Sequence, residues 1–135
     1  MKTCTAAILL SVLLPFQACS DGKSSKGLKF AELSNDSLFS IGSALLRDPL
    51  TADSAIICFA ILADRFEKSP RSGGNQELHA KALTNLGYLF SNFRSDYPKA
   101  YSYLADALDI CKKNGYKSIE PYICLDIGVA IEAYG

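Results

Sequence analysis

The sequence predicts an all-α fold, and three observations carry that prediction. From residue 31 onward apolar residues recur at the i, i+3, i+4, i+7 spacing of one helix face, and no segment alternates convincingly at the period of a strand. Breakers divide the chain into helix-sized pieces at Asp48-Pro49, at Ser69-Pro70-Arg71-Ser72-Gly73-Gly74 and at Asn114-Gly115. A glycine-centred pattern recurs in the first, third and fifth of those pieces. With 135 residues, 49% hydrophobic and 21% charged, the chain has the bulk of one globular domain and not the profile of a disordered one.

The first helix carries Leu38, Ile41, Gly42 and Leu45 on one face and stops at Asp48-Pro49, because proline disfavours helical geometry in the residue before it. Thr51 is placed to cap the second helix, whose apolar face holds Ala55, Cys58, Phe59, Leu62 and Phe66. The third runs from about Gln76 to Phe93, with Leu83, Leu86, Gly87, Phe90 and Phe93 on one side. Asp96 caps the fourth, and Pro98 falls in its first turn, where a missing N–H leaves nothing unpaired. That helix carries Ala100, Tyr103, Leu104, Ala107, Leu108 and Cys111. Lys112, Lys113 and Asn114-Gly115 end it, with cations at the negative pole and then a pair tolerant of left-handed geometry. A fifth helix starts near Ser118 or Pro121 and carries Ile123, Leu125, Ile127, Gly128 and Ile131.

The helices repeat. Ile41-Gly42 with Leu45, Leu86-Gly87 with Phe90 and Ile127-Gly128 with Ile131 share one pattern, their glycines 45 and 41 residues apart. Ala55, Phe59 and Leu62 of the second helix match Ala100, Leu104 and Ala107 of the fourth. A mid-helix glycine is about 1 kcal/mol less favourable than alanine. Three in register therefore predict close approach of a neighbouring helix at each.

Leu86-Gly87-Tyr88-Leu89-Phe90, followed by the segment from Tyr97-Pro98-Lys99-Ala100 to Ala107-Leu108, resembles a tetratricopeptide repeat. Leu86, Gly87 and Phe90 match first-helix positions of that family, and Ala100, Leu104 and Ala107 match second-helix positions displaced by one residue. The stretch from about Ser37 to Phe66 matches more weakly, and a third unit is represented by its first helix. The spacing exceeds the family's usual length of about 34, so these are lengthened, irregular units. The resemblance covers residues 31–135 and implies an α-solenoid of antiparallel helix-turn-helix repeats, about two and a half of them. The fifth helix stops at Ile131-Glu132-Ala133-Tyr134-Gly135 with no polar capping helix after it. Either the chain is a fragment, or that helix itself covers the Leu104–Leu108 face as the cap.

Residues 1–18 read as a signal peptide: Lys2 supplies the cation, an apolar run extends from Ala6 to Phe16, and Ala18 is the small residue at a cut site. The run is 11 residues long, where a spanning helix needs about 20. Ordinary signal-peptidase cleavage and lipoprotein processing both remain open at this site. Leu14-Pro15-Phe16-Gln17-Ala18-Cys19 resembles a bacterial lipobox, which implies acylation of Cys19, with palmitate among the usual chains, and residues 19–30 as a flexible polar tether. The expected location is then the bacterial cell envelope, as a membrane-anchored lipoprotein facing the periplasm or the exterior.

Several function classes are excluded or unsupported. Lys plus Arg total 14 and Asp plus Glu total 14, so the net charge of zero offers no basic face for nucleic acid. A single histidine rules out multi-histidine metal sites. No phosphate-binding glycine loop, G-x-S-x-G, H-E-x-x-H or C-x-x-C is present, so no enzyme activity, cofactor, metal or small-molecule substrate is inferred. His79, near Glu77 and Lys81, reads as a solvated or half-buried surface residue rather than a general base. Asp48, Asp53 and Asp64 are spaced for caps and surface charge. Cys58, Cys111 and Cys124 read as buried small apolar residues, with a Cys111–Cys124 bridge as the alternative in an oxidising envelope.

The repeat resemblance implies that first helices line a concave face that binds a protein or peptide. On the third helix, Lys81, Thr84, Asn85, Tyr88 and Asn92 fall on that face as exposed candidates. Lys81 and Asn85 are similar to the family's clamp for C-terminal carboxylates, but Phe39 and Ser43 occupy the matching places in the first repeat, which argues against a chaperone-tail ligand. Tyr97, Tyr101, Tyr103 and Tyr116 form either a second contact patch or packing between repeats. Lipobox-like leaders followed by irregular repeats of this kind also resemble the N-terminal sensing parts of larger membrane-associated signal-transduction and transcriptional regulators. A protein-binding module is thus the first expectation, and the sensory part of such a regulator the second.

Overall fold

A computed structural model of the chain describes residues 29–70 and 75–135. The expected signal peptide, the expected lipidation site Cys19 and nearly all of the expected tether lie outside them. The described residues are all-helical, with no strand. Among the described residues, beyond a helical turn at 29–31, five helices follow one another: α1 (Asn35–Leu45), α2 (Ala52–Lys68), α3 (Gln76–Arg94), α4 (Tyr97–Asn114) and α5 (Glu120–Tyr134).

Local chemistry sets most of the boundaries. The side chains of Ser34, Asn75 and Asp96 cap α1, α3 and α4 by accepting from the backbone N–H groups of Ser37, Leu78 and Lys99. Ser95 adopts φ 51° and Gly115 φ 75°, so α3 and α4 both end in a left-handed residue, and Gly115 does so without a Cβ penalty. Thr51 precedes α2 but does not cap it. Its hydroxyl donates instead to the Leu45 and Asp48 carbonyls at 3.0 and 3.2 Å, closing the turn behind α1.

Each helix packs antiparallel on the next. At the α1–α2 pair, Arg65 near the end of α2 donates to the Leu33 carbonyl and the Asn35 side chain ahead of and at the start of α1, both at 2.8 Å. Phe66 stacks on His79 at 5.3 Å, while an Asp53–Arg94 ion pair joins the opposite ends of α2 and α3. The Phe90 and Tyr103 rings lie 5.6 Å apart across α3–α4. Tyr97 at the start of α4 meets Tyr134 at the end of α5, 6.5 Å between centroids. The core runs through Leu38, Phe59, Leu62, Leu86, Leu89, Leu104 and Ile123, all fully buried.

Two of the three repeated glycines are contact points. A Cβ on Gly42 would lie 2.9 Å from Phe59 Cζ, and one on Gly87 would lie 2.6 Å from Leu104 Cδ2 and 3.2 Å from the Ala100 carbonyl oxygen. Gly128 departs from the expectation: a Cβ there meets nothing within 4 Å. The same 45-residue shift that relates Gly42 to Gly87 also relates Phe59 to Leu104, so both glycine and knob recur together.

Candidate functional site

α1, α3 and α5 share one side of the helical stack and enclose a groove of about 570 Å³. Residues at i, i+4, i+7 and i+8 of a helix lie on one face. Glu77, Lys81, Thr84, Asn85 and Tyr88 therefore form its α3 wall. α1 contributes Phe39 and, just past its end, Leu46. Ser118 and Ile119 of the preceding turn, with Tyr122 and Asp126 of α5, form the far wall.

Four of the five candidates read from the sequence thus converge: Lys81, Thr84, Asn85 and Tyr88. Asn92 does not line the groove. It is exposed, and its amide donates to the Tyr88 carbonyl one turn back at 2.9 Å. Thr84 is also corrected. It lines the groove but is buried, not exposed, with its hydroxyl donating to the Ala80 carbonyl at 2.8 Å. Lys81 is half-buried beside Glu77, its ammonium 2.6 Å from the carboxylate. Tyr88 is half-buried and meets Phe93 edge-on at 6.1 Å.

Asp126 is the group that sequence reasoning missed. Burial pushes its carboxyl above the usual carboxylate range. No spacing rule pairs it with Lys81 or Tyr88, because only the packing of α5 on α4 and α3 brings it across the groove. The groove therefore combines apolar side chains (Phe39, Ile119, Tyr122), one cation, two carboxylates and an amide. That lining is of mixed apolar and polar character.

The tyrosine patch divides. Tyr97 and Tyr101 join Pro98, Ala130, Ile131 and Tyr134 around an apolar hollow of about 300 Å³ between α4 and α5. Tyr103 packs on Phe90 instead, and burial raises its hydroxyl pKa, with Glu67 and Asp96 adding to the shift. Tyr116 is half-buried in the α4–α5 turn.

His79 is not a surface residue. It is buried against Phe66, its Nε2 has no hydrogen-bond partner among the described residues, and burial lowers its pKa against the opposing pull of Glu67 and Asp106. Cys58 and Cys111 are buried free thiols, each held above its ordinary pKa chiefly by burial. Cys124 is a free thiol too, but exposed, so it neither packs in the core nor bridges to Cys111. Asp48 accepts from the Leu50 backbone N–H, Asp53 pairs with Arg94 and Asp64 with Lys68, as expected of turn and surface carboxylates. Among the described residues no three His, Cys, Asp or Glu side chains are grouped to hold a metal ion. Compared with family models, with curated proteins and with solved structures, the chain matches none.

Proposed function

We propose that residues 31–135 form a non-enzymatic protein- or peptide-binding module of the tetratricopeptide type, held at the bacterial cell envelope by a lipid on Cys19. The observation that carries this reading is the convergence of Lys81, Asn85 and Tyr88 with Phe39, Tyr122 and Asp126 on one groove between the first, third and fifth helices. In this reading the ligand is a peptide that sets an apolar side chain on Phe39 and Tyr122 and polar groups against Lys81 and Asn85. The lipobox-like leader also supports the second reading, in which the same groove is the sensing site of a larger regulator.

Binding of the purified protein to an array of random-sequence peptides tests the proposal, with the best binder then titrated against variants. Tyr88→Ala and Lys81→Glu are each expected to weaken binding by about tenfold or more, the scale of an interface hot spot. Helical circular dichroism should stay unchanged. Equal affinity for both variants and the unaltered protein would rule out the groove as the site.

A further inference from the structure

α5 carries apolar residues on its exposed side as well as on its buried one. Ile123 and Ala130 are buried, yet Tyr122, Leu125, Val129, Ile131 and Tyr134 are exposed, Leu125 to 66% and Ile131 to 59%. Five of the seven large hydrophobic residues exposed among the described residues are on this helix.

The internal repeat says what such a face is shaped to receive. In α1 the glycine lies beneath Phe59 of the following helix, and in α3 it lies beneath Leu104 of the following helix. Shifting α3 by 41 residues turns Leu83, Gly87 and Phe90 into Cys124, Gly128 and Ile131. Leu83 is buried and Phe90 packs on Tyr103 of α4. Cys124, Gly128 and Ile131 are all exposed. The third seat therefore has the same small-residue floor and apolar rim, but no described helix lies on it.

Charge narrows the occupant. Outside the groove α5 carries Glu120 and Glu132 and no lysine or arginine. Pairing of two α5 helices from two copies would set carboxylates against carboxylates, and an anionic bilayer would be repelled likewise. A helix with lysine or arginine beside its apolar stripe is complementary. We propose that the open face of α5 is a docking site for a cationic amphipathic helix of a partner protein, lying antiparallel to α5 with a bulky apolar side chain seated on Gly128. The seat formed by Cys124, Gly128 and Ile131 shares no residue with the α1–α3–α5 groove and does not depend on that groove's role.

A labelled synthetic peptide of residues 97–114 is the probe, because α4 is the helix that fills the equivalent seat on α3. Asp106→Lys and Asp109→Lys make it strongly cationic and fall on its exposed side. Fluorescence anisotropy with the full chain should show saturable binding. Leu104→Ala in the peptide, or Gly128→Leu in the protein, should each weaken it by about tenfold or more. The space around Gly128 is open, so Gly128→Leu should not lower the melting temperature, and Ile131→Lys provides a second block by repelling a cationic helix. Tyr88→Ala should leave this binding intact. The proposal is overturned by absence of saturable binding, or by binding indifferent to Gly128→Leu and Ile131→Lys. It is equally overturned if Gly128→Leu abolishes self-association in sedimentation or association with phosphatidylglycerol vesicles, since the occupant would then be a second copy or a membrane.

Discussion

His79 is a buried imidazole whose neutral form the fold prefers. Burial lowers its pKa, its ring stacks on Phe66, and Nε2 has no hydrogen-bond partner among the described residues. An unfolded histidine titrates near pH ~6.5. As pH falls through that value the unfolded chain takes up a proton that the native state refuses, so stability falls. The contribution of His79 is thus complete above about pH 6.5 and is lost progressively below it. Asp126 acts in the opposite sense. Its raised carboxyl binds a proton in the native state first, so its contribution is greatest at low pH and fades as pH rises through the folded pKa. His79→Phe keeps an aromatic ring on Phe66 and removes the titration. Between about pH 7 and 5 the melting temperature of the unaltered protein should fall more steeply than that of the variant, and parallel slopes would show that His79 is not the group responsible.

At the scale of the helix, the three repeated glycines should behave as two kinds. Adding bulk at Gly87 drives against Leu104 and the fixed Ala100 carbonyl. Overpacking destabilises by about 1–3 kcal/mol, and leaving glycine returns about 1 kcal/mol of helix propensity. Gly87→Ala is then left with a net cost of up to about 2 kcal/mol, and Gly87→Leu is the sharper test and should destabilise toward the top of the overpacking range. Gly128→Ala meets open space and should stabilise by up to about 1 kcal/mol. Chemical denaturation of the two variants checks both signs. The same contrast shows what a sequence reveals. Asp96, Gly115 and the bounds of α3 were legible because caps and breakers act within a few residues. Glycine periodicity also located the seats of Phe59 and Leu104. Whether a helix covers Gly128, whether Phe66 buries His79, and whether Asp126 reaches the groove depend on contacts between helices, on which a single helix's pattern is silent. Thr51 was misread for a related reason, because its hydroxyl found carbonyls behind it rather than the N–H groups ahead. Lys81, Asn85 and Tyr88 could be grouped from the sequence since one helix face places them together, whereas the opposite groove wall could not.

For the whole molecule, the proposed function calls for attachment to a membrane, and the described helices bear on how it is made. None of them is long and apolar enough to cross a bilayer. The exposed apolar face of α5 is flanked by carboxylates, which disfavours an anionic lipid surface. The proposed anchor is the acyl group on Cys19, read from the lipobox-like sequence before it. A single chain binds a bilayer weakly and reversibly, whereas the several chains of a processed lipoprotein cysteine hold firmly. Removing them should have an all-or-none effect on partitioning and none on the groove or the α5 face, which lie beyond the tether. Cys19→Ser is expected to move the protein from the membrane pellet to the supernatant on fractionation of bacterial cells, with helical content and array-peptide binding unchanged. Retention in the pellet would mean that another part of the chain, or a partner seated on the groove or on α5, holds the protein at the envelope. Repeating the fractionation with Gly128→Leu and Tyr88→Ala added to Cys19→Ser would separate those cases.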